Sequence, residues 1–300
     1  MNAALALAAL LPLVAPAAPA CAAICVRDPV ASLELRDDGG FLSVAATIAG
    51  RPVRLMLDTG SDAGLVRPEA VPAFGLAAAG IGQVRLHGTG GSLSAALVVL
   101  PRLALGPLPL GDVAVPVGDL PGAPNLTPPV IGFLGGDVLG RFDLDFDIPH
   151  GTLTLYRVAL LSLACAPPPA WSGQYRSVAL QRHGVLLSLP ASLDGHSITA
   201  LLDTGARSRI VDGRTALAVG VGAERLAADP GGLTSGIDMR EQTYHWHRFA
   251  SLAIAGQTQL RPVLTVAPLP GPFEMLLGTD WLAGQRVWIS YSTDRMFVMR

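Results

Sequence analysis

The sequence predicts an all-β chain built as two copies of one plan. Three observations carry this. Short apolar runs bounded by Gly and Pro dominate, and few windows hold a helical period. The phrase "RLMLDTGSDAGLV", centred on Asp58-Thr59-Gly60, returns as "TALLDTGARSRIV", centred on Asp203-Thr204-Gly205, 145 residues on (203 − 58). A second phrase, "FLGGDVLGRFDLDFDIPHGTLTLYR", returns as "LLGTDWLAGQRVWISYSTDRMFVMR", with Asp137 and Asp280 143 residues apart (280 − 137). Recurrence at a near-constant interval marks a duplicated structural unit.

The elements follow in the same order in each copy. An opening hairpin comes first, "SLELRDDGGFLSVAATIAG" and then "SVALQRHGVLLSLPASLDG", each turning at a Gly. A strand then runs into Asp-Thr-Gly. A variable middle follows, with glycine-rich turns at "HGTGGSL" (Gly88, Gly90, Gly91) and "TSGID" (Gly236). These suit mobile flap tips, because Gly tolerates φ values other residues avoid; an ordinary hairpin turn is the plainer reading. An apolar strand leads to Leu134-Gly135 or Leu277-Gly278, and a short helix is expected to start at Asp137 or Asp280 as its cap. A closing hairpin ends the unit. At the 143-residue offset Leu144 meets Val287, Phe146 meets Ile289, Leu153 meets Met296 and Leu155 meets Val298. Alternation of this kind belongs to half-buried strands. It puts Asp143, Asp145 and Asp147 on the opposite face, expected to meet solvent. The lobes are thus expected at residues 33–157 and 177–300, joined by a Pro-rich linker at 158–176.

Composition bounds the function. Half of the 300 residues are hydrophobic, enough for a sizeable core, and the net charge of −2 gives no electrostatic case for nucleic acid or an anionic membrane. The chain holds no lysine, the usage of a GC-rich, bacterial coding sequence. Residues 1–22 read as a secretory signal, with an apolar stretch from Ala3 to Val14 and small residues before Ala20 and Ala22, although no Lys or Arg precedes it. Pro12, Pro16 and Pro19 interrupt the segment before it is long enough to span a bilayer. A periplasmic or secreted protein with no membrane span after signal removal is the expectation. Cys21 after Ala-Pro-Ala faintly resembles a lipid-attachment site but lacks the usual Leu. If Cys21 leaves with the signal, Cys25 and Cys165 remain, and a disulfide or two free thiols are equally open.

Other signals weigh less. His245 and His247 flank Trp246 and would share one strand face, a geometry that can bind metal, but no third ligand lies near in sequence; the surface face of a strand is the favoured reading. Asp143, Asp145 and Asp147 lack the Gly of a calcium loop. The sequon at Asn125 is followed by Pro128, and no G-x-S-x-G, H-E-x-x-H or Walker A phrase is present. No metal or cofactor is expected.

"LMLDTGS" with "FLGGDVLGRFD", and "LLDTGA" with "LLGTDWL", resemble the retropepsin-like aspartic peptidases in their duplicated, single-chain bacterial form. The resemblance covers nearly the whole chain beyond the signal. It implies two all-β, retropepsin-like barrel lobes related by a pseudo-two-fold axis, with Asp58 and Asp203 side by side as the catalytic dyad. It further implies that Thr59 and Thr204 bond across the axis, that Gly60 and Gly205 offer backbone N–H groups and room, and that Ser61 and Ala206 adjoin the carboxylates. An acidic optimum and inhibition by pepstatin-type peptides also follow from it.

Two adjacent carboxyls share one proton, so one can activate a water while the other polarises a carbonyl. A hydroxyl at Ser61 could donate to Asp58 where Ala206 cannot serve Asp203. The charge is therefore expected on Asp58 and the proton on Asp203. The functional expectation is an exported aspartic endopeptidase that binds an extended peptide, acting as a monomer with an internal pseudo-dimer. The rival is a non-catalytic peptide-binding or scaffolding protein on the same fold. A third option pairs each lobe with a lobe of another chain.

Overall fold

The computed structural model describes residues 25–88, 91–120, 126–160, 171–235, 241–269 and 271–299. Six of the described strands form a central antiparallel sheet shared by both halves of the chain. Their order is Tyr175–Ala179, Arg295–Met299, Arg286–Ser290, Asp143–Asp147, Thr152–Leu160 and Cys25–Asp37. Its middle pair joins the two copies: Arg286 faces Asp147, Val287 faces Phe146 and Ile289 faces Leu144. The strand Cys25–Asp37 begins upstream of residue 33 and pairs with Thr152–Leu160, which runs beyond residue 157.

Each half then builds its own lobe. In the first, Leu42–Ile48 pairs antiparallel with Arg51–Leu57, which runs parallel to Val130–Leu134 so that Leu57 meets Leu134. In the second, Leu186–Leu193 pairs with His196–Leu202, which runs parallel to Met275–Leu277 so that Leu202 meets Leu277. The reason lies in the apolar runs ahead of each Asp-Thr-Gly: Val53, Leu55 and Leu57, like Ile198, Ala200 and Leu202, are buried in one continuous core. Each large aliphatic side chain so buried contributes about 1.5–3 kcal/mol. On the opposite face each lobe carries a small satellite core made of matching positions. Phe41, Met56, Leu65, Val130 and Phe133 form one. Leu186, Leu201, Ile210, Phe273 and Leu276 form the other.

The short helices after these strands span Gly136–Leu139 and Thr279–Leu282, with Gly135 and Gly278 as their N-caps. Asp137 and Asp280 therefore sit within the first turn and do not cap it. The cause is crowding. A Cβ on Gly135 would stand 2.2 Å from the Ala63 carbonyl carbon, and one on Gly278 would stand 2.4 Å from the Ser208 carbonyl oxygen. Only glycine fits there, so the carboxylates turn elsewhere: Asp137 accepts from the Gly64 N–H at 3.0 Å, and Asp280 accepts from Arg209 Nε at 2.9 Å.

The acidic face of the closing strand is not solvated. Leu144 and Phe146 point inward as expected, but Asp143 and Asp145 are also buried. Arg286 grips Asp145 through Nε at 3.0 Å and Nη2 at 2.6 Å. Asp143 accepts from Ser290 Oγ at 2.8 Å and from the Ser292 N–H at 2.9 Å. Trp171, from the linker, is buried beside Trp288, Tyr156 and Phe297 on that face. His247 likewise departs from the surface reading. It is buried, with Nδ1 2.6 Å from Asp229 Oδ2, while Trp246 between the two histidines is exposed.

Candidate active site

The parallel strand pairs carry the two Asp-Thr-Gly turns to one place. The Asp58 N–H donates to the Leu134 carbonyl at 2.9 Å, and the Asp203 N–H donates to the Leu277 carbonyl at 3.2 Å. Each turn is thus fixed at the end of a buried strand. The threonines then lock the turns to each other. Thr59 N–H donates to Thr204 Oγ1 and Thr204 N–H donates to Thr59 Oγ1, both at 3.1 Å. Thr59 Oγ1 in turn donates to the Leu202 carbonyl at 2.9 Å, and Thr204 Oγ1 to the Leu57 carbonyl at 2.7 Å. Every bond in this set crosses between lobes and has its symmetric twin.

The glycines set the approach of the acids. A Cβ on Gly60 would stand 2.4 Å from Asp203 Cγ, and one on Gly205 would stand 2.5 Å from Asp58 Cγ. Each carboxyl therefore lies against the opposite glycine, which brings the two acids together at the seam. Gly60 N–H donates to Asp58 Oδ1 at 3.0 Å. Gly205 and Ala206 N–H donate to Asp203 Oδ1 at 2.9 and 3.1 Å.

Burial pushes the Asp58 carboxyl well above its usual range, and the neighbouring Asp203 charge pushes it further. Burial also raises Asp203, but the Gly205 and Ala206 N–H groups pull it back. The Gly60 and Ser61 N–H groups pull Asp58 back in the same way, so the two raised carboxyls titrate as a pair that holds one proton between them. The hydroxyl expected to hold the charge on Asp58 does not reach it: Ser61 Oγ donates to the Ala63 carbonyl at 2.9 Å instead. A pair that shares one proton across a short gap can both take a proton from a water and give one to a carbonyl oxygen.

The sequence model of the aspartyl protease family matches residues 44–138 and again residues 189–281. The matched stretches begin 145 residues apart (189 − 44) and end 143 apart (281 − 138), the intervals of the repeat itself. The chain belongs to the aspartyl protease family. It has the retropepsin-like, duplicated two-lobe form. No curated protein matches it.

The remaining sites expected from the sequence fall unevenly. Gly88 and Gly91 pair at the closed end of the hairpin Ala78–Gly88/Gly91–Leu105. Gly90 and Gly236 lie outside the described residues, although Gly231–Ser235 and Glu241–Arg248 form the second hairpin that leads to Gly236. Cys165 also lies outside them, as do residues 1–22. Among the described residues no group of His, Cys, Asp or Glu could hold a metal ion, and no helix is long and apolar enough to cross a membrane.

Two features escaped the sequence. Tyr291 is buried, its hydroxyl has no hydrogen-bond partner among the described residues, and burial drives its phenol upward. Its counterpart is Ile148 (291 − 143); in the sequence the two meet as one more apolar match of the repeat, which hides the hydroxyl. The second feature is a charge reversal at Asp62 and Arg207, which are also counterparts (207 − 62 = 145).

Proposed function

We propose that this protein is an exported aspartic endopeptidase. In this reading the ionised carboxyl of the Asp58–Asp203 pair accepts a proton from a water held between the two, and that water attacks the peptide carbonyl. The protonated carboxyl donates its proton to the carbonyl oxygen as the tetrahedral intermediate forms. Collapse of the intermediate returns a proton to the leaving amine, and no covalent enzyme intermediate is required. An extended peptide lying between the two hairpins and the dyad is the substrate, bound largely through its backbone. One chain supplies both acids, so a monomer suffices.

The observation that carries the reading is the reciprocal packing of each glycine on the opposite carboxyl, 2.4 and 2.5 Å from where a Cβ would stand. A binding protein has no need to hold two acids so close, since the arrangement costs stability at neutral pH. The signal-like segment at residues 1–22 supports export to the periplasm or medium. The test is cleavage of unfolded casein between pH 3 and 7, with Asp58→Asn and Asp203→Asn as controls. Loss of cleavage in both variants supports one shared dyad. A wild type that binds unfolded chains but cleaves none at any pH overturns the reading in favour of a non-catalytic peptide binder.

A further inference from the structure

We propose that the cleft reads charge with a direction. Asp62 on one side of the dyad and Arg207 on the other select extended peptides that are basic on one flank of the scissile bond and acidic on the other. The inference rests on the peptidase reading and names its substrate class.

Asp62 and Arg207 each follow their dyad acid by four residues. The pseudo-two-fold that exchanges the carboxyls therefore exchanges these positions as well. Their backbones are pinned alike. The Ser61 carbonyl accepts from the Gly136 N–H at 2.8 Å, and the Ala206 carbonyl accepts from the Thr279 N–H at 2.9 Å. The next carbonyls are held too, Asp62 by the Asp137 N–H at 2.9 Å and Arg207 by Thr279 Oγ1 at 3.3 Å. Both side chains are exposed, and neither is ion-paired among the described residues. Arg207 is also positioned: its guanidinium carbon lies 5.1 Å from the Phe41 ring centre, and its Cβ and Cγ lie 3.2 and 3.3 Å from where a Cβ on Gly40 would stand. The stem thus crosses to the other lobe and holds the charge at the seam.

Around these positions the copies agree in character: Thr59 with Thr204, Gly60 with Gly205, Leu57 with Leu202. At Asp62 and Arg207 the charge changes sign. A peptide chain has a direction, and a strand laid across a two-fold meets the two positions at opposite ends. One orientation of flanking charge gains two attractive contacts, and the reverse orientation meets repulsion at both ends. Specificity built from attraction for one ligand and repulsion of its mirror is larger than either alone. Exposed contacts of this kind are each worth about two- to fivefold, so the two orientations differ by about tenfold or more at low salt. The difference shrinks as ionic strength rises.

The test uses two peptides identical in their central residues. One carries Lys on the amino-side flank and Glu on the carboxyl-side flank; the other carries them reversed. The full chain should cleave one about tenfold faster at low salt. The double variant Asp62→Arg/Arg207→Asp should invert that preference, and Arg207→Asp alone should favour basic residues on both flanks. Melting curves confirm that the variants are folded. Cleavage of both peptides at equal rates, or a preference unmoved by the double exchange, overturns the proposal and leaves the peptidase reading intact. If the wild type cleaves neither, the peptidase reading fails instead. Fluorescence polarisation of the two labelled peptides on Asp203→Asn then decides the charge proposal: equal affinities overturn it, and a preference that the added double exchange inverts sustains it.

Discussion

Trp288 stands opposite Asp145 across the middle of the central sheet, and the two residues are counterparts in the repeat (288 − 145 = 143). A pair that maps onto itself lies on the symmetry axis. Leu144 with Ile289 and Phe146 with Val287 then map onto each other. The duplicated halves are therefore joined by one continuous register, and the same axis brings the Asp-Thr-Gly turns together. The axis residues differ, a carboxylate in one copy and an indole in the other. Asp145 needs a cation, which Arg286 supplies, and Trp171 packs edge-on to Trp288 with ring centres 6.4 Å apart.

Removing that cation should be costly. Asp145 is 1% exposed, whereas Arg286 is 26% exposed. Arg286→Met keeps the packing of the stem but leaves a buried carboxylate with, among the described residues, only the long Trp171 Nε1 contact at 3.5 Å. Breaking a pair this way costs about 3–5 kcal/mol when both partners are buried, and solvent at the Arg286 end reduces it to about 2–4 kcal/mol. Urea unfolding at neutral pH measures it. A loss below about 0.5 kcal/mol would show that the pair is not needed at the axis.

Thr59→Val tests the lock between lobes. Valine keeps the shape of threonine and deletes one hydroxyl. The Leu202 carbonyl and the Thr204 N–H both lose a partner inside the protein. Each orphaned buried group costs about 1–3 kcal/mol, so the variant should lose about 2–5 kcal/mol of stability. Thr204→Val should lose a similar amount, because its bonds are the symmetric twins. Markedly unequal losses in chemical denaturation would mean that the two turns are not equivalent supports.

Gly60→Ala should spare folding more than activity. Its new Cβ would overlap Asp203 Cγ and force the carboxyls apart. A displacement near 1 Å at reacting groups costs about a hundredfold in rate. Casein cleavage should fall by about that factor, with circular dichroism still native. Gly60→Ala cleaving at the wild-type rate would disprove the close approach.

Much of this arrangement can be read from the amino-acid order. The doubled Asp-Thr-Gly, the alternation from Leu144 to Leu155 and the two offsets fix the duplicated all-β plan. What escaped depends on which partner reaches a side chain in space. Alternation says that Asp143 and Asp145 leave the core, but not that a serine pair, Arg286 and Trp171 wait on the other face. The same holds for His247, whose partner Asp229 comes from the turn before the second hairpin. Ser61 shows the smallest scale of the problem. Its neighbour Asp58 and the Ala63 carbonyl are both local acceptors, and only the turn geometry selects the carbonyl. Ser61→Ala should accordingly leave the acidic limb of the pH–rate profile in place; movement of that limb would restore a direct bond to Asp58.

The raised Asp58 carboxyl should appear in stability as well as in rate. Its ordinary value is 3.8, and burial with the Asp203 charge holds it well above that in the folded chain. Below 3.8 both folded and unfolded chains carry the proton, so the group is neutral toward folding. As pH rises past that value the unfolded chain releases its proton while the folded chain retains it. The unfolded state then binds fewer protons, and stability falls with rising pH until the folded carboxyl ionises. Asp203 is raised as well and acts in the same direction. Asp58→Asn removes one titrating group and keeps a donor toward Asp203. Its melting temperature should exceed that of the wild type at pH 7 and converge with it near pH 3, while cleavage is lost, the exchange of stability for function expected of a strained site. Parallel melting curves across the whole range would mean that Asp58 ionises as an ordinary carboxylate, and the shared proton would be gone from the mechanism.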